Sequence, residues 1–430
     1  MKLVIIGALI TAISLQAAMA ELSVSLRTDR PEALYKIGED ATFLIEVTED
    51  GKPLAEGNVS AVFSRDGLHP QAAQTIAIKD GKASVTGRLE EPGFLSLAIQ
   101  SGTAKAAAAA GYEPEKIKPS ADVPEDFDAF WKKNKEELAK VPMNPKLTPQ
   151  PSSNEKIEVF DVQLDCVGNP VSGYFARPKG KKSLPAILTL HGAGVSKPSP
   201  NGARQWAGSE GGMLAMDINA HGISNDQPKE YYQELAKGEL RNYQLRGRQS
   251  REDSYFKGMF LRVQRAIDFL TSQPEWDGRT LILFGTSQGG FQTLAGGYLD
   301  SRVSLICAGV PAGCDHTGSL VDRISGWPKW AFVQNPQTVD PAALQASRYY
   351  DSVNFARLTK ADEAVVTVGL IDTICPPTSV YAAYNALEIP KALHVDPLAN
   401  HTNTPEAMSF LKAAVTKHVK AKKTSSTVNH

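Results

Sequence analysis

The 430-residue chain exceeds one typical domain, so two are expected. Hydrophobic residues make up 42% and charged residues 22%, an ordinary globular balance. The net charge of -1 gives no electrostatic case for nucleic acid or an anionic membrane surface as partner.

Lys2 precedes the largely apolar run 3–15, too short for an ordinary bilayer span, and Ala18-Met19-Ala20 supplies an A-x-A cleavage site. Residues 1–20 are therefore expected to be a secretory signal. The mature chain then begins at Glu21, in the periplasm or outside the cell. Residue 21 is not Cys, which argues against a lipid anchor, and no other segment is long and apolar enough to span a membrane. Export exposes Cys166, Cys307, Cys314 and Cys375 to an oxidising compartment, but their spacing matches no metal signature or dense disulfide framework. Cys307 and Cys314 could pair. Because Cys307 lies in the apolar run 303–310, a buried free thiol is the better fit.

Residues 21–111 read as β structure. Leu22 to Leu26 alternates apolar and polar residues, as do parts of 41–47 and 75–85, and Asp50-Gly51 and Asp80-Gly81 are turn signals. Strands this short and regular suggest a small immunoglobulin-like β-sandwich. Nothing in it looks catalytic, so it is expected to be a packing or spacer module, with carbohydrate binding as the other reading. Ala106 to Ala110 and the proline-containing stretch to Pro124 read as a connector, and residues 112–154 as connector plus a docking helix. In that helix Pro124 suits the first turn. Phe127, Phe130 and Trp131 share one face, and Lys132, Lys133, Lys135, Glu136 and Glu137 form the solvated side.

From 155 to 422 strand-like runs alternate with helical ones. The strands are 159–164, 186–190, 213–218, 281–284, 305–310, 364–370 and 392–395; the helices are 255–272, 291–299, 379–387 and 405–419. Such alternation implies an α/β sheet with helices on both faces. Residues 423–430 are polar and read as a disordered tail.

The chemistry centres on the apolar strand 281–284 followed by Gly285-Thr286-Ser287-Gln288-Gly289, which fits G-x-S-x-G between a strand and a helix. This is a nucleophile elbow, with Ser287 as nucleophile. A serine hydroxyl needs a base, and on α/β-hydrolase folds the partners follow in the order Ser, acid, His at strand ends. Asp372 follows the strand 364–370 and is the expected acid. Asp396 is its rival but leaves little chain before His401, the expected base in the loop after the last strand. His394 lies inside a strand, and His191, His221 and His316 fall in the wrong order. The oxyanion donors are expected to be the N–H of Gln288 and, in the loop His191-Gly192-Ala193-Gly194, that of Ala193. Scattered histidines and the lack of H-E-x-x-H or paired C-x-x-C leave no metal constellation, and the chemistry requires no cofactor.

The region from about 124 to 419 resembles the acetyl xylan esterase and cephalosporin-C deacetylase family of carbohydrate esterases. The resemblance rests on P-E-D-F-D-A-F-W (124–131), L-R-G-R-Q-S-R-E-D-S-Y-F-K-G-M-F (245–260), G-T-S-Q-G-G (285–290), Y-D-S-V-N-F-A (350–356), G-L-I-D-T-I-C-P-P (369–377), Y-A-A-Y-N (381–385) and Asn400-His401. It implies an α/β-hydrolase fold and acetyl-ester hydrolysis on sugars. It also implies a Ser287–Asp372–His401 triad, oxyanion donors at Gln288 and Ala193, and ring-like oligomers built from dimers. Three positions depart from the pattern. Ala193 stands where the family usually has Tyr, Asn219-Ala220-His221-Gly222 replaces R-G-Q, and Thr402 replaces Glu after the histidine. The N-terminal sandwich is additional.

The reading is an exported serine esterase acting on acetylated polysaccharides or oligosaccharides, xylan-derived ones first. One alternative is an esterase or peptidase of the same fold taking a larger acyl, aryl or peptide substrate where Ala193 opens the pocket. The other is a binding protein with a degenerate hydrolase domain. The sequence assigns no sugar-gripping residues. Trp327, Trp330 and Tyr350 could form a stacking surface, but such aromatics are at least as often core.

Overall fold

The computed structural model describes residues 21–331 and 338–427, with side chains through 424. The expected signal segment, 1–20, lies outside them. Leu22–Thr28, Ala41–Glu49 and Lys82–Gly87 pair antiparallel. So do Gln74–Lys79, Glu56–Arg65, Gly93–Ser101 and Ala104–Tyr112. The strands 74–79 and 82–87 meet only where Lys79 faces Lys82. The turn between them, with Asp80 and Gly81 at φ 50 and 74, therefore splits the sheet into two layers. Alternate residues fill the space between: Phe43, Ile45, Val47, Phe63, Leu95 and Leu97 are all buried. The sandwich gains a short parallel pair, Leu34–Tyr35 beside Gly111–Tyr112.

The connector is shorter than expected, because Ala106 to Ala110 belongs to the last sandwich strand. An alanine run carries weak strand propensity, and here burial between neighbours decides. The helix Phe127–Ala139 starts a turn later than expected: Pro124 lies ahead of it, its carbonyl accepting from the Phe127 N–H. The aromatic stripe docks the helix. Trp131 Nε1 donates to Tyr349 O at 3.0 Å, and the Asp126 carboxylate takes the Tyr349 hydroxyl at 2.5 Å and Arg251 at 2.6 Å.

The second sheet has nine strands. Lys146–Gln150, Ile157–Leu164, Val171–Pro178 and Leu214–Ile218 run antiparallel to their neighbours in that order. From Leu214–Ile218 the sheet continues in parallel through Leu184–Leu190, Trp276–Thr286, Leu305–Gly309, Glu363–Gly369 and Lys391–Asp396. One face packs on the helices Tyr255–Thr271, Gln288–Leu299 and Pro377–Ala386, and the other on Asn201–Ala207 and Pro405–Thr427. This is the α/β-hydrolase arrangement. The sheet begins at Lys146, inside the stretch read as connector. At the other end the final helix runs through Thr427, so most of the expected disordered tail is helical. Residues 428–430 lie outside the described residues. No helix among the described residues is long and apolar enough to cross a membrane.

Candidate active site

Every residue expected to do chemistry follows the C-terminal end of a parallel strand, where an open α/β sheet leaves its crevice. The central strand ends at Thr286, and Ser287 adopts φ 57, ψ -120 before the helix Gln288–Leu299 begins. This is a strained conformation for a side chain other than glycine. The motif's two glycines make it possible. A Cβ at Gly285 would lie 2.4 Å from the Gly289 backbone, and one at Gly289 would lie 2.1 Å from the Leu190 carbonyl. Ser287 N–H is tied to Gly309 O at 2.8 Å, fixing the elbow to the next strand.

The three expected triad residues meet. His401 Nε2 lies 2.8 Å from Ser287 Oγ, and its Nδ1 lies 2.7 Å from Asp372 Oδ2. Asp372 is 2% exposed, and its other oxygen accepts the N–H groups of Ile374 and Cys375 at 2.8 and 2.9 Å. One oxygen thus shapes the loop while the other holds the imidazole. Asp396 ends its strand without reaching His401; its carbonyl accepts the Leu370 and Ala399 N–H groups instead. Asp372, His401 and Cys375 also place three metal-ligating atoms within 4.8 Å of one another. The carboxylate and imidazole are already occupied by these hydrogen bonds, and burial pushes the Cys375 thiol well up, so the group reads as a triad.

The loop 191–194 lies against the nucleophile: a Cβ at Gly192 would be 3.8 Å from Ser287 Cβ. Gln288 opens a helix, so its N–H has no acceptor inside that helix, and Ala193 N–H is likewise unclaimed among the described residues. The rest of the loop is held by Tyr243, which the sequence did not single out, and by His221, which it set aside as a candidate base. Tyr243 OH takes the Gly194 N–H at 3.4 Å and donates to Gln288 Oε1 at 2.5 Å. His221 bonds Gly194 O at 3.0 Å and Tyr255 OH at 2.8 Å. Burial pushes the His221 imidazole down to about 4, so it is neutral at pH 7. The stretch Asn219-Ala220-His221-Gly222, where the family pattern breaks, builds this network. Buried Arg262 secures it through two bonds to Ala220 O, at 2.7 and 3.1 Å. Asn403 is a second unforeseen support, donating to Thr286 Oγ1 at 3.0 Å and accepting from Thr367 Oγ1 at 2.5 Å.

The other candidates fall outside this centre. His191 pairs with Asp217, His394 packs against Phe410 and His316 is buried away from any protein acceptor. Trp330 and Tyr350 are core residues 5.3 Å apart, and Trp327 packs on Phe256, so the three form no stacking surface. The four cysteines are free and buried, so Cys307 and Cys314 do not pair.

Fold and site together define an α/β-hydrolase with a serine, histidine and aspartate in hydrogen-bonding contact. Residues 112–421 match the model of the acetyl xylan esterase (AXE1) family. The acetyl esterase Axe7A of Xylanibacter ruminicola is 31% identical over 394 residues, 89% of this chain and 88% of that one. An acetyl xylan esterase structure from Paenibacillus sp. R4 superposes with a TM-score of 0.60 at 28% identity, covering 70% of this chain and 98% of that one. Acetyl xylan esterase 1 from Thermoanaerobacterium sp. JW/SL YS485 shares the fold, with a TM-score of 0.58 at 21% identity over 70% and 96% of the two chains. The chain belongs to the acetyl xylan esterase family and is a carboxylic-ester hydrolase acting on acetyl esters.

Proposed function

We propose that the protein is an exported serine esterase that removes acetyl groups from xylan or xylo-oligosaccharides through an acetyl-enzyme. The observation that carries this reading is the imidazole of His401, which bridges Ser287 and Asp372 at 2.8 and 2.7 Å. Ser287 Oγ attacks the acetyl carbonyl as His401 Nε2 takes its proton, while Asp372 holds the ring and stabilises the imidazolium. The N–H groups of Gln288 and Ala193 receive the oxyanion. The intermediate collapses as His401 returns the proton to the leaving sugar hydroxyl. Water, deprotonated by the same imidazole, then releases acetate. Support for the substrate class comes from the relatives, an acetyl esterase and an acetyl xylan esterase by name. Support for export comes from Lys2, the apolar run 3–15 and Ala18-Met19-Ala20.

Acetate release from a panel of acetylated glycans, run beside butyryl, feruloyl and peptide substrates, tests the reading. Acetylated xylo-oligosaccharides are expected to lead, with kcat lost by on the order of 10^6 in Ser287→Ala. Preference for a larger acyl group or a peptide would contradict the acetyl assignment, and an active Ser287→Ala would contradict the mechanism.

A further inference from the structure

The helix Pro377–Ala386 begins directly behind the loop that carries Asp372, and its first turn is short of acceptors. Pro376 and Pro377 have no N–H, and the N–H groups of Ser379 and Val380 both turn back to Pro376 O, at 2.9 and 3.1 Å. Thr378 N–H has no such partner in its own helix, and no side chain of the Pro376 cap can supply one. Its acceptor comes from the other domain: Asp66 Oδ2, at 3.1 Å. Asp66 lies at the turn after the sandwich strand Glu56–Arg65, at φ 51, with its own N–H bonded to Phe94 O at 3.0 Å. The Phe94 ring in turn packs 5.4 Å from Tyr381, one turn further along the same helix. The sandwich therefore grips this helix at its start and along its side. The Asp372 loop, folded around its own carboxylate, ends at that start.

We propose that Asp66 is a positioning residue for the catalytic acid: by capping the helix behind the Asp372 loop, it holds that carboxylate against His401. The sandwich is then part of the catalytic apparatus rather than a spacer. The inference rests on the reading of Ser287, Asp372 and His401 as the triad.

The local electrostatics fit this role. Burial pushes the Asp66 carboxyl up to about 7; the Thr378 hydrogen bonds and Lys329 oppose the rise, and the charge of Asp372 adds to it. The other charged groups around it are Arg65 on its own strand and Asp322 and Arg323 on the insertion facing it. When ionised, Asp66 adds negative potential near the Asp372–His401 pair, which favours the imidazolium.

Turnover of 4-nitrophenyl acetate by the full chain and its Asp66→Ala, Asp66→Asn and Ser287→Ala variants tests the proposal. In Asp66→Ala, kcat is expected to fall roughly tenfold with KM little changed, the loss of one helix cap. Asp66→Asn keeps an acceptor oxygen for the Thr378 N–H, so most of kcat should survive. Wild-type kcat in Asp66→Ala, or equal losses in both Asp66 variants, would overturn it. If Ser287→Ala is inactive while Asp66→Ala matches the wild type, only the role of Asp66 falls; an active Ser287→Ala removes the triad reading itself.

Discussion

Ser287, Asp372 and His401 arrive from three separate loops, and each is held by backbone as much as by its neighbours. The serine is fixed by its φ of 57, the aspartate by two N–H donors from its own loop. His401 sits two residues before Asn403, which ties the same loop to Thr286 and Thr367. Such preorganisation spares the reaction the cost of ordering these groups in the transition state. Buried histidines also bear on stability. His316 is 1% exposed, packed between Phe291 and Trp330, with neither ring nitrogen bonded to a protein group. Burial pushes its pKa down to about 3. The unfolded chain takes that proton near pH 6.5 and the folded chain does not. This contribution to stability is therefore complete above about 6.5 and is lost on acidification, at about 1.4 kcal/mol per pH unit. His221 acts with the same sign down to about 4. Thermal melts from pH 7 to 4.5 are expected to fall less steeply for His316→Phe than for the wild type; parallel curves would contradict this.

At the level of elements, the nucleophile elbow was legible because its chemistry and its local geometry use the same residues. Gly285 and Gly289 are needed where strand, helix and the end of the Leu184–Leu190 strand crowd together. In Gly289→Ala the new methyl would meet the Leu190 carbonyl, driving the helix from the strand that leads into the oxyanion loop. Turnover is expected to drop at least about a hundredfold, as for an ångström-scale misplacement of a reacting group. Circular dichroism should show the fold retained, and wild-type turnover in this variant would contradict the close-approach argument. The order serine, aspartate, histidine was legible too, since each residue follows a strand with a clear apolar run. Other elements were hidden for physical reasons. Val171–Pro178 is interrupted by Gly173, which reads as a breaker but is required because a Cβ there would meet Asp217 O at 2.1 Å. The Ala104–Tyr112 strand is rich in alanine, and the last turns of Pro405–Thr427 carry lysines without a clear apolar stripe. The Tyr243–His221–Gly194 network joins residues distant in sequence, and no spacing rule reaches it.

For the whole molecule, the main change from the sequence reading concerns the sandwich. Ala33, Phe94 and Ala109 are packed into the core of the catalytic domain, and Asn385 on the helix behind the acid loop donates to Pro114 O and Ile117 O, each at 2.9 Å. The two domains thus share apolar surface, and side-chain hydrogen bonds tie the connector between them to the helix behind the Asp372 loop. The four cysteines are buried thiols, so packing rather than cross-links holds the chain's shape. On the proposed mechanism, all of this arranges the Ser287 hydroxyl for attack. Treatment of the full chain with a fluorophosphonate, followed by peptide mass mapping, tests that most directly. A single adduct on Ser287, formed in step with loss of esterase activity and absent from His401→Ala, is the expected result. An adduct on another residue, or full activity in the unlabelled Ser287→Ala protein, would contradict it.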